Sequence, residues 1–294
     1  MPAQQVYMLR PEAFGFNPQT AASNTFQRGG GLGAAQVARL ARKEWEQAVE
    51  QLQQAGVVVH ELPGCKTENL PDEIFLNNWF STHPGGRLVL YPLLTPNRQR
   101  EVRPELIQQL QQFPGTRQIV DLREAHSEKE VLEGTGSLVL NTEGTMAYAV
   151  LSERTTTAGI ARFTEATGIP VFAFLANRSI YHTNVLMCLT EKMAIVCLES
   201  IADEAVRKQL VSRFGEQLMT ISVLQMEQFC GNMLGLHNAD GESLLVMSAT
   251  AQSAFSDDQW RRITAVHRPV VLPIPVIEQY GGGSARCLLA ECYG

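Results

Sequence analysis

The chain has 294 residues, 45% hydrophobic, 18% charged and 7% aromatic, with 24 basic against 30 acidic side chains and a net charge of -6. A chain of this length buries roughly three quarters of its unfolded surface and folds without staples, which excludes disorder, collagen-like order and a disulfide scaffold. The mildly acidic balance leaves no electrostatic footprint for nucleic acid or an anionic membrane and points to a small-molecule or protein partner.

Six cysteines, Cys65, Cys188, Cys197, Cys230, Cys287 and Cys292, form no CxxC pair and no Cys/His alternation of the kind a structural zinc needs, so no metal is expected. They read as reduced thiols, with Cys188 and Cys197 in apolar strand runs. The first residues lack the apolar length of a signal peptide, and no run of about 18 apolar residues occurs. The expectation is a soluble cytoplasmic protein, with a homo-oligomer left open.

In chain order the same pattern recurs at a spacing of roughly 50 residues. A first copy combines the strand QVYMLR (5–10), the helical ARKEWEQAVEQLQQAG (41–56) and VVVHEL (57–62). The second has NNWFSTH (77–83), RLVLYPLL (87–94), the helical REVRPELIQQLQQF (100–113) and RQIVDL (117–122). In the third, the strands SLVLN (137–141) and MAYAVLS (146–152) flank the turn TEGT. The helix RTTTAGIARFTEATG (154–168) and the strand PVFAFL (170–175) follow. The fourth has NVLMCL (184–189), the turn TEK, MAIVCLESI (193–201), the helical ADEAVRKQLVSRFGE (202–216) and LMTISVL (218–224). In the fifth, NMLGLHN (232–238) and SLLVMSA (243–249) surround ADGE. SDDQWRRITAV (256–266) is an N-capped helix, and PVVLPIPVI (269–277) is expected to close the unit as strand.

Five ββαβ units without a linker predict one closed ring over residues 1–294, a single domain in the form of a five-bladed pseudo-symmetric α/β propeller. An open α/β sheet is the rival architecture. In a ring the starts of the units gather at one end of the axis. Asn77 and Asn78 open the second, Glu133 in LEGTGS the third, His182 in YHTN the fourth and Asn232 in CGNM the fifth, while Cys287 follows the glycine run in GGGSARC (281–287). Taken singly, Cys287 reads as a small core residue, His182 as a satisfied structural histidine and Glu133 as part of a turn. Their shared register assembles nucleophile, acid/base and orienter: an imidazolium lowers a thiol pKa and later protonates a leaving nitrogen, and a carboxylate orients the imidazole. Glycines 281–283 admit close backbone approach, with a plain turn as the alternative. The segment 14–35, rich in Gly, Asn and Ala, reads as a flap over the ring centre or an inert surface loop.

LEGTGS, Ser152-Glu153-Arg154-Thr155, YHTN and GGGSARC together resemble the guanidino-group-modifying enzymes, the pentein or amidinotransferase superfamily, over nearly the whole chain. FLNNWFSTH, YPLLTPNRQRE and FGFNPQTA are more closely similar to the arginine-deiminase-related branch, which includes citrulline-utilising hydrolases. The resemblance implies a five-bladed α/β propeller. It also implies that Cys287 attacks the planar carbon of a guanidinium or ureido group, that His182 protonates the departing nitrogen and then activates water, and that Glu133 holds His182 and contacts substrate, with no cofactor.

The departures bear on the substrate. Arginine deiminases and many relatives place aspartates where this chain has Asn78 and Asn184, and Ser137 stands where the EGGD-like pattern has Asp. Neutral amides offer donors and acceptors without compensating a cation, which favours a ureido group and makes citrulline the leading substrate, with ornithine, ammonia and carbon dioxide as products. Arg98 and Arg154 are candidates for the substrate carboxylate, with Arg286 less favoured, and Asn77 joins the candidate binding residues. Trp79 is expected between blades. Arginine deimination, methylarginine or agmatine hydrolysis and other amidinotransferase-family activity are the alternatives within enzymes. A non-catalytic propeller binder is the reading from another class.

Overall fold

The computed structural model describes residues 2–113, 115–123 and 130–293. Among the described residues, fifteen strands form five separate three-stranded sheets. The first sheet contains β1 (Gln5–Leu9) and β2 (Val58–Leu62); the second β3 (Phe80–His83), β4 (Arg87–Leu90) and β5 (Gln118–Asp121); the third β6 (Val139–Leu140), β7 (Ala147–Val150) and β8 (Val171–Phe174). The fourth holds β9 (Met187–Leu189), β10 (Ala194–Val196) and β11 (Leu218–Thr220), and the fifth β12 (Leu234–His237), β13 (Ser243–Ser248) and β14 (Arg268–Leu272). The last strand, β15 (Ala290–Cys292), returns to the first sheet and pairs antiparallel with β1, Tyr7 opposite Ala290.

Every sheet has the same plan: the middle strand pairs antiparallel with one neighbour and, after a helical crossover, parallel with the other. The antiparallel strands face one another across the sheets, β15 beside β3 and β9 beside β6 and β12, so they gather round one axis. Thr82 Oγ1 of β3 donates to the Glu291 carbonyl of the neighbouring β15 at 2.7 Å. The architecture is the five-bladed, pseudo-symmetric α/β propeller expected from the repeat. Its sheets remain open ladders joined by side-chain packing rather than one continuous barrel.

The crossover helices obey local rules. Ser256 caps Asp257–Val266 in a capping box with Gln259, Asp203 caps Glu204–Phe214, and Gly168 ends Thr157–Thr167 with φ at 75°. Apolar clusters fill the seams between blades. Trp79, fully buried with Tyr7, Leu62 and Ala290, lies in the seam of the first two sheets, as expected of it. Among the described residues, no helix is long and apolar enough to cross a membrane.

Several boundaries differ from the sequence reading. The first helix begins earlier, at Ala34, and the helix read from 100 begins at Pro104. The strand read over 218–224 ends at Thr220 before a helix at Val223–Glu227, and Ser137 and residues 184–186 lie in helical turns before their strands. Only Arg268–Leu272 of the fifth unit's closing run is strand, and Pro275–Gly281 is a helix. Pro275 presets its first turn, and buried Glu44 accepts from the Val276 and Ile277 amides at 2.9 and 3.0 Å, supplying the cap from another blade. Asn77 and Asn78 lie in a helical turn, Leu76–Asn78, before β3 begins. The first copy is one strand short in sequence because its third strand is contributed by the C-terminal residues.

Candidate active site

A short helical turn precedes the axial strand in four blades: Leu76–Asn78, Gly134–Ser137, Thr183–Leu186 and Ala285–Leu288. In the fifth blade, Asn232 precedes β12 directly. Glu133 and His182 occupy the residue before their turns, and Cys287 lies within its own. Gly134 adopts φ of 47°, and a Cβ there would strike the Asn77 carbonyl, so the second and third turns meet at backbone distance. A Cβ on Gly136 would lie 2.5 Å from Asn78 Nδ2 and 2.6 Å from His182 Nδ1, which places those two nitrogens side by side over a bare backbone.

Glu133 Oε2 lies 2.8 Å from His182 Nε2 and 3.5 Å from Arg154 Nη1, and its Oε1 accepts from the Leu94 amide at 3.0 Å. Burial alone would raise the Glu133 pKa. The Arg154 cation, the His182 hydrogen bond and Arg98 outweigh it and hold the carboxyl well below the usual range, so it is ionised. An ionised Glu133 accepts the proton on Nε2 and leaves Nδ1 of His182 as the base facing Asn78 and Gly136. Burial lowers the His182 pKa to about 4, against the opposing pull of Glu133, so the free site holds a neutral imidazole.

Asn232 Nδ2 lies 3.3 Å from Cys287 Sγ, and its Oδ1 accepts from the Arg286 amide at 3.1 Å, which fixes the direction of that amide. Asn184 Nδ2 donates to the Thr135 carbonyl at 3.2 Å and lies 3.7 Å from the same sulfur. Two amide donors therefore face Sγ. Burial nonetheless raises the Cys287 thiol, against the hydrogen bonds from Asn232 and the Ser284 backbone amide, so the resting pair is neutral thiol and neutral imidazole. Asn184 Oδ1 is buried without a partner, an acceptor with nothing to accept.

The segment 14–35 lies closed over this centre. Ser23 Oγ accepts from Arg154 Nη2 at 2.6 Å and Nε at 3.0 Å, and the Thr20 carbonyl accepts from Nη2 at 3.1 Å. Asn24 Nδ2 donates to the Gly281 carbonyl at 3.1 Å, and Phe26 packs against Tyr181 and Phe229. A Cβ on Gly282 would meet Gln27 and Asn24, so the glycine run admits this segment.

Of the arginines, Arg154 faces the centre. Arg98 is fully buried and committed elsewhere: Nε and Nη2 hold Glu101 in a fork at 2.9 and 2.8 Å, Nη2 also reaches the Asp72 and Phe75 carbonyls, and Nη1 donates to Asn78 Oδ1 at 2.6 Å. Arg286 turns away to Glu291 at 2.8 Å. Asn77 Nδ2 donates to Thr135 Oγ1 at 3.2 Å, within the seam. Ser137 holds the turn, accepting from the Glu133 amide at 2.9 Å and donating to the Arg154 carbonyl at 2.8 Å. Sequence reasoning missed Asp72. Its Oδ2 accepts from Asn17 and Thr20 of the overlying segment at 2.7 and 3.0 Å, while its buried Oδ1 has no partner. Nothing in the period marks it. All six thiols are free, and among the described residues no three His, Cys, Asp or Glu side chains gather as a metal site.

A sequence model of the family described as N,N dimethylarginine dimethylhydrolase, eukaryotic, matches residues 10–293. The chain belongs to this family. The family places the chain among the guanidino-modifying hydrolases of the pentein superfamily. No curated protein sequence matches it. Solved structures share the fold at low identity. The N-terminal domain of ArgZ bound to substrate, an arginine dihydrolase from the ornithine-ammonia cycle in cyanobacteria, is 16% identical, with 98% of both chains covered and a TM-score of 0.78. AgrE in complex with L-arginine is 18% identical over 98% of this chain and 40% of its own, with a TM-score of 0.76. A dimethylarginine dimethylaminohydrolase adduct with S-methyl-L-thiocitrulline is 14% identical over 99% of this chain and 100% of its own, with a TM-score of 0.68. This chain spans about two fifths of the length of unliganded full-length ArgZ, 41%.

Proposed function

We propose that this family member is a cysteine-dependent hydrolase that opens the guanidino carbon of an arginine-type amino acid and carries the ureido product on to ornithine. The observation that carries this reading is the buried set of Cys287, His182 and ionised Glu133 beside the unpartnered Asn184 Oδ1, a centre of acceptors waiting for N–H groups. The names of the relatives, with L-arginine bound to one and dihydrolysis ascribed to another, support arginine as the entering substrate. The expectation of citrulline as the leading substrate rested on Asn78 and Asn184. Those amides keep it as the second reading, in which only the ureido stage operates.

In the proposed sequence the proton of Cys287 passes to His182, and the sulfur bonds to the guanidino carbon. The tetrahedral state expels ammonia, which takes its proton from His182. Water, deprotonated by His182, then attacks the S-linked carbon, the C–S bond breaks, and a ureido group results. A second round expels the remaining ammonia and releases a carbamate, which falls apart to ornithine and carbon dioxide. Asn232 and Asn184 donate to the sulfur while it carries charge. Asp72 Oδ1 receives the α-ammonium and Arg154 the α-carboxylate, with the 14–35 segment closing behind them.

The test is ammonia, citrulline and ornithine release from arginine, N,N-dimethylarginine and citrulline, with Cys287→Ser as control. Two ammonia per ornithine from arginine, abolished by the substitution, supports the main reading. Turnover of citrulline alone selects the second. Product formation by Cys287→Ser at the native rate would remove the nucleophile and the mechanism with it.

A further inference from the structure

We propose that Phe229 is a positioning residue that couples closure of the 14–35 segment to the aim of the Asn232 amide at the Cys287 sulfur, an inference that rests on the proposed role of Cys287 and deepens it. Phe26 of the closed segment holds the Phe229 ring, and the held ring keeps a left-handed backbone turn in place.

Among the described residues, Phe229 alone of the non-glycines has a positive φ, 63°. It ends the helix Val223–Glu227: its amide donates to the Met226 carbonyl at 2.9 Å and the Cys230 amide to the Gln225 carbonyl at 3.0 Å, the two bonds that close a helix through a left-handed residue. That position favours glycine, because a Cβ there crowds the backbone. A phenylalanine in it is strained, and such strain persists only where the surroundings over-determine the conformation. The turn leads straight to the nucleophile. The Phe229 carbonyl accepts from the Asn232 amide at 2.8 Å, and a Cβ on the intervening Gly231 would strike the Val185 carbonyl, so the chain is pressed against the turn of the fourth blade. Asn232 Nδ2 then lies 3.0 Å from the Asn184 carbonyl and 3.3 Å from Cys287 Sγ. Rotating residue 229 out of the left-handed region breaks the backbone bond to Asn232 and moves Nδ2 off the sulfur.

The support for this turn comes from the overlying segment. The buried Phe229 ring meets Phe26 at a centroid separation of 5.5 Å. Phe26 also meets Tyr181 edge-on at 5.9 Å, and Tyr181 Oη donates to the Gly282 carbonyl at 2.6 Å, in the glycine run before Cys287. The Phe26 amide donates to Asn24 Oδ1 at 3.1 Å, and Asn24 Nδ2 is itself held by the Gly281 carbonyl. Phe26 is thus placed by the same contacts that close the segment. With the segment lifted, Phe229 loses its cover and the left-handed turn its support.

Two double variants separate backbone conformation from packing: Phe26→Ala with Phe229→Gly, and Phe26→Ala with Phe229→Ala. Both lack the ring contact and give iodoacetamide the same access to Cys287, but only glycine keeps the left-handed turn without support. Alkylation of Cys287 at pH 8, followed by mass spectrometry, is expected to run about three- to tenfold faster in the glycine pair, since an aimed Asn232 stabilises the thiolate. Adding Asn232→Ala to each pair should erase that difference. In turnover, Phe26→Ala alone should lose kcat about tenfold, and adding Phe229→Gly should return most of it while KM stays raised. Equal alkylation rates in the two pairs, a difference that persists with Asn232→Ala, or an undiminished kcat in Phe26→Ala overturns the proposal. Thermal melting checks the fold of each variant, and Phe229→Leu takes the place of Phe229→Ala should that pair not fold. Because alkylation needs no substrate, absence of turnover by the native chain would sink the proposed reaction while leaving the alkylation difference to stand.

Discussion

Glu133 Oε2 and His182 Nε2 stand 2.8 Å apart in a fully buried contact, and this contact decides which nitrogen of the imidazole faces the reacting carbon. With Glu133 ionised, the proton stays on Nε2 and Nδ1 is the base. In Glu133→Gln the Leu94 amide, which donates to Oε1 in the native chain, retains the amide oxygen and turns the NH2 toward His182. The imidazole must then carry its proton on Nδ1. The expected loss is on the order of a thousandfold in kcat with KM nearly unchanged, by analogy with other triads whose orienting carboxylate becomes an amide. A kcat within tenfold of native in a folded variant would refute the tautomer argument.

The pH dependence of Cys287 reactivity follows from its burial. Its thiol is pushed above its ordinary value, and His182 is lowered to about 4, so the free protein holds little thiolate at neutral pH. A raised thiol pKa means that the thiolate population keeps growing on the alkaline side. The rate of Cys287 alkylation by iodoacetamide, followed by mass spectrometry of the peptide containing it, should still be climbing at about pH 9. A plateau reached below about pH 8 would show a pre-formed thiolate–imidazolium pair instead.

Closure of the 14–35 segment depends on Ser23, whose hydroxyl accepts from Arg154 at 2.6 and 3.0 Å. Ser23→Ala leaves two buried guanidinium donors unpaired in the closed state, at a cost of roughly 1–3 kcal/mol. The expected result is a five- to hundredfold rise in KM for an amino-acid substrate with a smaller change in kcat, since the reacting groups are untouched. Steady-state kinetics at one pH suffices, and an unchanged KM would mean that this contact does not govern access.

The ring was legible because each blade repeats the same apolar sentence, and a period of this kind survives without any knowledge of partners. What it could not show was the completion of the first sheet by β15, since pairing between Tyr7 and Ala290 leaves no local mark at either end of the chain. Glu133, His182 and Cys287 were readable because they share a register at the unit starts, and the structure brings Glu133 to His182 and surrounds Cys287 with Asn184 and Asn232. Arg98 was readable as an arginine near the site but not as one already spent on Glu101, because the fork depends on two buried side chains meeting in space. Asp72 belongs to no repeat position. Only its unpartnered oxygen, aimed away from Asn17 and Thr20, sets it apart.

Glu44 illustrates how a distant blade feeds the nucleophile's support. Its carboxyl caps Pro275–Gly281, the helix that leads into the glycine run before Cys287, and burial raises its pKa to about 7, opposed by the Val276 and Ile277 amides and reinforced by Glu278. The folded state thus holds a proton that the unfolded chain, with a glutamate near its ordinary value of about 4.3, releases. The stability tied to that proton is complete below the unfolded value and is lost as pH rises through about 7. Across the whole window it is worth roughly 4 kcal/mol at most. Glu44→Gln keeps the oxygen that caps the helix and removes the titration. The native protein should therefore lose more Tm than the variant between about pH 5 and pH 7, and the difference between the two should level off above about pH 7. Parallel dependence of both proteins on pH would place the cost of that ionisation elsewhere in the molecule.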